Sequence, residues 1–227
     1  MKSRKLLATV LTLTLTLTLS LGMVSVAHAS LISFATRASG SVPAFLSAGD
    51  VKAYVEGLTA APASAGYCDA APAAWNGLSN QTNCGGVANN IAFDISATFS
   101  VSAAQAGTWS FRIGPDFGLG GALFIDGAAV DFRATDMWWS GSYGDPTQIL
   151  AATLNLAAGN HVIRAYGAEA CCDGAQQGQY LAPGSADWIT FGADDGITPR
   201  GLPEPASAAL LLLALGAMGA ARKRAHG

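Results

Sequence analysis

The segment with the clearest capacity for ligand chemistry reads "DMWWSGSYGDP" and spans residues 136–146. Its large aromatic and acidic side chains lie among glycines and serines, and they are Asp136, Trp138, Trp139, Tyr143 and Asp145. Exposed aromatic rings stack on the faces of sugars, and nearby carboxylates bind hydroxyl groups or hold a cation. The segment is therefore predicted to be a ligand-binding loop. The structural alternative is that one tryptophan closes the end of a sandwich and the other covers it.

Four further aspartates mostly lie beside glycines in predicted turns: Asp116, Asp126, Asp131 and Asp173. Aspartate is common in turns because its side chain accepts local hydrogen bonds. These residues are predicted to be structural, with calcium binding by some of them as the alternative. No cofactor is predicted.

The sequence offers little for an enzyme. His161 is the only histidine between residues 30 and 202, so a histidine-dependent triad or a multi-histidine metal site would depend on it alone. It follows a Gly-Asn turn in a predicted strand, where a structural role is expected. The chain has no G-x-S-x-G, H-E-x-x-H, G-x-G-x-x-G or C-x-x-C motif. A carboxylate pair for glycoside hydrolysis stays open because such pairs have no fixed spacing. A non-catalytic protein is predicted.

The N-terminus has the features of a secretory signal peptide. Basic residues (Lys2, Arg4 and Lys5) precede an uncharged run from Leu6 to Leu21, and Ala27-His28-Ala29 follows. That order of a basic region, a short apolar run and a small-x-small site is typical of cleavage by signal peptidase. Residues 1–29 are therefore predicted to be removed, which makes Ser30 the first mature residue.

Charge separates the predicted ectodomain from the two ends. Residues 30–202 carry six basic and 14 acidic side chains, a net charge of −8. An acidic surface repels phosphate backbones, so nucleic-acid binding is disfavoured, whereas weak cation binding is compatible with it.

All four cysteines lie in the predicted exported part: Cys68, Cys84, Cys171 and Cys172. An oxidising compartment favours disulfides. Adjacent cysteines have Cα atoms about 3.8 Å apart, below the usual disulfide span of roughly 4.4 to 6.8 Å. The preferred prediction is therefore two bridges that join the vicinal pair to Cys68 and Cys84. A redox-active bond within the vicinal pair is the alternative.

The patterning predicts an all-β chain. Apolar residues alternate from Ile91 to Val101 and again at Trp109, Phe111 and Ile113, which predicts strands with one buried face. Asp126-Gly127 between two apolar runs predicts a two-residue hairpin.

Residues 149–166 predict a second hairpin, residues 187–191 a closing strand, and residues 31–37 a strand that could pair with it. Only residues 47–58 show helical spacing, with Ser47 or Asp50 as the cap. Residues 60–90 are predicted to be an irregular loop that disulfides attach to the sheet. Together these elements predict an antiparallel β-sandwich resembling a jelly roll, with one short helix.

The C-terminal segment, residues 201–227, resembles the PEP-CTERM sorting signal. It has the triplet Pro203-Glu204-Pro205, an apolar run over residues 206–221 and a basic cluster over residues 222–224. The resemblance implies processing by exosortase at the inner membrane of a Gram-negative bacterium that makes exopolysaccharide. The 16-residue run spans roughly 24 Å as a helix, less than a hydrocarbon core of ~30 Å. A transient transmembrane helix, with its basic end in the cytoplasm, is therefore predicted.

Residues 111–188 resemble the CCXG-type group within that class. The stretches that carry this resemblance are "FRIGPDFGLGGALFIDG", "DMWWSGSYGDP", "LNLAAGNHVIRAYGAEACCDG" and "GQYLAPGSADW". More loosely, "ALFIDG" followed by "LAAGNHVIRAYG" is similar to the core of the protective-antigen-type β-sandwich, which often binds carbohydrate. Calcium-dependent lectins of that superfamily have paired aspartates before this strand. Asp116 stands there alone, so the resemblance does not carry a calcium site to this chain.

The predicted layout is a signal peptide (1–29), a β-sandwich ectodomain (30–200) and a sorting signal (201–227). Two functions are consistent with it. The first is a non-catalytic protein of the cell surface or exopolysaccharide matrix, whose partners are signal peptidase and exosortase and which contacts the membrane transiently. The second is a carbohydrate-binding module.

Overall fold

The computed structural model describes residues 31–197 and 199. The predicted signal peptide, the sorting triplet and the predicted transmembrane helix at 206–221 lie outside these residues. Within the described part, no helix is long and apolar enough to cross a membrane. The strands are β1 Leu31–Ala38, β2 Asp69–Ala70, β3 Asn76–Leu78, β4 Asn89–Val101, β5 Gly107–Gly114, β6 Asp116–Phe117, β7 Gly121–Ile125, β8 Ala128–Arg133, β9 Met137–Trp138, β10 Leu150–Leu156, β11 Gly159–Cys171, β12 Gln176–Leu181 and β13 Ile189–Thr190. The α-helices are α1 Ala48–Thr59 and α2 Asn80–Cys84, with 3₁₀ turns at Ala103–Gln105 and Pro146–Gln148.

The strands form two packed sheets and a short ribbon. A six-stranded sheet has the order β2-β1-β4-β11-β7-β8, and a second sheet has the order β10-β5-β12-β13, with β3 also paired to β12. Strands β6 and β9 form the two-stranded ribbon. Every pair is antiparallel. The antiparallel β-sandwich prediction is therefore confirmed.

An aromatic core lies between the two sheets. Phe99 of β4 contacts Trp109 and Phe111 of β5, with ring centroids 6.0 and 5.8 Å apart. Phe191 packs parallel to Phe111 at 6.3 Å. These side chains are the inward-facing members of the predicted period-two patterns, which explains why alternation was informative for β5.

Helix α1 packs on the outer face of the six-stranded sheet. Ser47 caps it by accepting a hydrogen bond from the Asp50 backbone N–H at 3.2 Å, as predicted. Val51 and Val55 are fully buried on its inner side. Because the helix covers that face, β4 is buried on both sides, and the prediction of one buried face is wrong for this strand.

Two predicted pairings are also wrong. Strands β10 and β11 do not form a hairpin, because β10 pairs with β5 in one sheet and β11 pairs with β4 and β7 in the other. Likewise, β1 pairs with β4 and β2 rather than with the closing strand β13, which pairs with β12. A short connection is compatible with either arrangement, since it can turn back within a sheet or cross to the opposite one.

The Asp126-Gly127 hairpin is confirmed. Strands β7 and β8 pair on either side of it, and both turn residues have positive φ, 50° and 80°. That conformation is the one a two-residue type I′ turn requires.

Candidate functional site

The structure separates the predicted ligand loop into two regions. Strand β9 pairs with β6, so Met137 points into the core and Trp138 points outward with 62% of its surface exposed. The next residue, Trp139, is half-buried against the second sheet. The two adjacent tryptophans therefore have different surroundings.

Trp138 lies at the edge of an open cleft of about 540 Å³. The cleft is lined by Asp116, Gly118, Asp136, Trp138, Glu169, Ala170, Cys171, Cys172 and Gly174. Asp116 comes from β6, the partner strand of β9, and Glu169 from the end of β11. The cleft thus brings together one predicted aromatic residue, one predicted flanking acid and the vicinal cysteines.

Two carboxylates hold the turn that contains the vicinal cysteines. Glu169 accepts hydrogen bonds from the backbone N–H groups of Cys171 at 2.7 Å and Gly118 at 2.5 Å. Asp116 accepts one from Gly174 at 2.5 Å. A Cβ at Gly118 would lie 2.7 Å from the Glu169 carboxylate, so glycine permits this close approach.

A third carboxylate connects the same turn to α2. Asp173 accepts hydrogen bonds from the backbone N–H groups of Asn80 at 3.0 Å and Gln81 at 2.6 Å, the first two residues of that helix. Its own N–H donates to Ala88. Asp173 is therefore structural, as predicted.

Burial raises the pKa values of these acids. The pKa of Asp116 rises to about 7, chiefly because the carboxyl is desolvated and also because Glu169, Asp136 and Asp173 repel its charge; the bond from Gly174 acts in the opposite direction. Burial likewise raises the pKa of Glu169 and of Asp173, against the backbone hydrogen bonds that both accept. Asp116 is consequently partly protonated near neutral pH and able to donate a hydrogen bond as well as accept one.

The preferred disulfide pairing is wrong. The structure joins Cys68 to Cys84, with Cα atoms 5.5 Å apart, and joins Cys171 to Cys172. The first bridge lies entirely within residues 60–90, and this segment also contains β2, β3 and α2 rather than being a single irregular loop. The sequence did not reveal the Cys68–Cys84 pairing, because the two cysteines lie beside one another only after α2 forms.

Trp139 and Tyr143 belong to an aromatic stack on the second sheet. Their ring centroids are 5.0 Å apart, and Trp139 Nε1 donates to the Ala175 carbonyl at 2.6 Å. The Arg112 guanidinium lies 4.0 Å from the Tyr143 ring centroid and 4.1 Å from that of Trp188. This stack combines two predicted residues with two that were not singled out.

The remaining candidate acids make local contacts. Asp145 lies outside the cleft lining and caps a 3₁₀ turn, where it accepts two hydrogen bonds from Thr147, at 2.9 and 2.7 Å. Asp126 contacts His161 Nδ1 at 2.6 Å, and Asp131 contacts Arg133 at 2.5 Å.

His161 also lies 2.9 Å from the Ala157 carbonyl through Nε2, which agrees with its predicted structural role. Across residues 31–197 and 199, no group of three or more His, Cys, Asp or Glu side chains is arranged to hold a metal ion.

The sequence analysis did not predict several residues of the two regions. Glu169 stands alone in "GAEAC", and Gly118 and Gly174 resemble ordinary turn glycines. Arg112 and Trp188 lie in stretches that carry the resemblance to the CCXG-type group, but they are 76 positions apart in the sequence. The outward position of Arg112 in the alternating pattern of β5 was the one available signal.

Comparisons with known proteins identify the C-terminal segment. Residues 202–225 match the PEP-CTERM protein-sorting motif, which indicates an exported protein of the cell surface or extracellular matrix. No curated protein matches the chain.

Among solved structures, the chain is similar to a PA14 sugar-binding domain from an RTX adhesin, with 14% identity, coverage of 75% of this chain and 99% of that chain, and a TM-score of 0.49. It is also similar to the PA14 domain of the MpAFP antifreeze protein, with 14% identity, 78% and 95% coverage, and a TM-score of 0.48. A third similar structure is the epithelial adhesin 6 A domain of Candida glabrata, solved with Galβ1-3GlcNAc, with 14% identity, 77% and 89% coverage, and a TM-score of 0.43.

Proposed function

We propose that this chain is an exosortase-processed protein of the cell surface or exopolysaccharide matrix that acts by binding rather than by catalysis. The sorting motif at residues 202–225 supports the processing and the surface location in this proposal. The layout that goes with it is a signal peptide over residues 1–29, an ectodomain over 30–200 and a sorting signal over 201–227. The membrane contact is transient, and the host is a Gram-negative bacterium with an exosortase.

The mature termini test this proposal. Intact-mass measurement of the protein from its native envelope is expected to give a chain that begins at Ser30 and lacks the apolar run at 206–221. Replacing Pro203, Glu204 and Pro205 by alanine is expected to leave the tail attached. A wild-type chain that still ends at Gly227 would contradict processing.

A specific observation favours carbohydrate as the ligand. Trp138 is an exposed ring beside an open cleft whose other side chains are three carboxylates, Ala170 and the vicinal disulfide. An aromatic face offers sugar C–H groups a flat apolar contact, and carboxyl groups of mixed protonation donate and accept hydrogen bonds with hydroxyls. The cleft is thus suited to one or two neutral sugar units.

Pull-down with uncharged polysaccharides and binding to the neutral members of a glycan array test the cleft, each with calcium and with a chelator. Trp138→Ala is expected to abolish binding because it removes the stacking face. Leu46→Ala is the matched control, since Leu46 is an exposed apolar side chain (86%) outside the cleft lining. Binding that survives in Trp138→Ala would reject the cleft, and loss with the chelator would indicate a cation.

The cleft carboxylates also bear on catalysis. Asp116 and Glu169 both accept backbone hydrogen bonds that hold the disulfide turn, which gives each a structural role. Incubation with bound polysaccharide is therefore expected to release no reducing ends. Release that disappears in Asp116→Asn would contradict the non-catalytic proposal and favour glycoside hydrolysis.

A further inference from the structure

The outer face of the second sheet is polar, and neither of the two described α-helices packs over it. Helix α1 contacts strands of the six-stranded sheet, whereas β5, β10 and β12 direct alternate side chains away from the core. These side chains pair across the strands: Thr108 with Asn155 at 2.7 Å, Ser110 with Thr153 at 2.8 Å, and Arg112 with Gln179 at 2.7 Å. The face therefore carries a row of hydroxyl and amide groups that ends at one guanidinium, with Ala151 and Leu181 as apolar neighbours.

Arg112 is held in a fixed orientation on this face. Its Nε donates to Gln179 Oε1, and the rings of Tyr143 and Trp188 lie 4.0 and 4.1 Å from its guanidinium carbon. Tyr143 is itself fixed, because its hydroxyl lies 3.2 Å from both the Gln177 carbonyl and Gln177 Oε1. Burial among these groups is sufficient to lower the pKa of the guanidinium.

Arg112 differs from the other described arginines in its partners. The other three form ion pairs: Arg37 with Asp69 at 2.8 Å, Arg133 with Asp131 at 2.5 Å, and Arg164 with Asp94 at 2.7 Å. Among the described residues, Arg112 has no carboxylate partner, and neither of its Nη nitrogens has a hydrogen-bond acceptor. The negative net charge of residues 30–202 repels a polyanion as a whole, so an acidic chain would have to be held by this local cation and the uncharged groups beside it.

A clamped guanidinium with a free edge is suited to one kind of ligand. The planar fork of arginine matches a carboxylate through two parallel hydrogen bonds, and two aromatic rings about 4 Å from the guanidinium restrict its movement. Fixing the side chain in advance lowers the entropy that binding would otherwise cost. The arrangement is thus preorganised for a carboxylate.

The rest of the face indicates what bears that carboxylate. Ser110 and Thr108 precede Arg112 by two and four residues, so the three side chains are spaced by about 6.8 Å along β5. Each of the two hydroxyl residues has a polar partner on β10. A row of hydroxyl and amide groups beside a cation offers hydrogen bonds to successive hydroxylated units, as in a chain of sugars.

We propose that Arg112, clamped by Tyr143 and Trp188, binds the carboxylate of an acidic polysaccharide that lies along the open face of the second sheet. The site is distinct from the Trp138 cleft, because Arg112, Tyr143 and Trp188 are not among the residues that line that cleft. Failure of one site therefore leaves the other intact.

Calorimetric titration with polygalacturonate oligosaccharides tests this site, with their methyl esters as the neutral probe of the same backbone. Wild type is expected to bind the acid form and to bind the ester at least about tenfold more weakly, since the ester lacks the charge. Arg112→Gln is expected to weaken the acid form by about tenfold or more and to leave the ester unchanged. Arg112→Lys keeps the charge but lacks the fork, so an intermediate loss of about three- to tenfold is expected.

Two controls keep the outcome interpretable. Trp138→Ala and Arg133→Gln lie outside this face and are expected to bind polygalacturonate as wild type does. Thermal unfolding of each variant shows whether the fold is retained, and the lysine variant serves if the glutamine variant unfolds. Absence of binding, equal binding of acid and ester, equal binding by Arg112→Gln, or equal binding of poly-glutamate would each overturn the proposal.

Discussion

Trp138 and Trp139 are adjacent in the chain yet contribute to two regions that are built differently. The Trp138 cleft is formed by turns, and carboxylates that accept backbone hydrogen bonds hold it in place. The Trp139 stack lies against strand β5 of the second sheet, and contacts between rings and with Arg112 hold it in place. The cleft should therefore respond to protonation and the stack to loss of packing.

Removing one disulfide or the other should give the largest difference in the free energy of unfolding. The Cys68–Cys84 bridge closes a 16-residue separation, so removing it with two alanines is expected to lower the free energy of unfolding by about 3 kcal/mol through a more disordered unfolded chain. The vicinal bridge closes only the small ring of two adjacent residues, and Cys171→Ser with Cys172→Ser is expected to cost less than about 1 kcal/mol while altering the cleft. Urea unfolding measures both, and equal losses would contradict this account.

The tryptophans should give the next contrast. Trp139→Ala is expected to lower the free energy of unfolding by about 2 kcal/mol, because it leaves a gap against Gly114 and frees Tyr143. Trp138→Ala should remain within about 0.5 kcal/mol of wild type, since its ring is exposed. Chemical denaturation gives both values. A Trp138 variant as destabilised as the Trp139 variant would show that the cleft tryptophan is also part of the core.

The last contrast is in pH dependence. Because the pKa of Asp116 is about 7 in the folded protein and ~3.9 in an unfolded chain, the folded state binds more protons between those values. Stability should consequently fall as pH rises through this window, by up to roughly 3 kcal/mol between pH 5 and 8, and Glu169 acts in the same direction.

Asp116→Asn retains an oxygen that can accept the Gly174 N–H and should flatten most of this slope in urea titrations at several pH values. Asp145→Asn is the control. Hydrogen bonds from Thr147 lower the pKa of Asp145, so its contribution is lost only at acid pH below this window. A slope in Asp116→Asn equal to that of wild type would mean that Asp116 is not the group responsible.

Local patterns were reliable where the interaction that fixes an element is local. The cap at Ser47, the Asp126-Gly127 turn and the alternation in β5 each depend on residues a few positions apart, and all three are present. Patterns failed where a partner is remote. The sheet to which β10 belongs depends on β5, which is about 40 residues earlier.

The sequence by itself determined the sorting signal, the all-β class and the acidic charge of this protein, because composition and short-range order carry them. Only the tertiary structure decided that Asp116 and Glu169 meet beside Trp138 and that Arg112 contacts both Tyr143 and Trp188. These groups are brought together by sheet register and by the crossing from one sheet to the other. Both are set by packing across the whole sandwich, which no short stretch of sequence encodes.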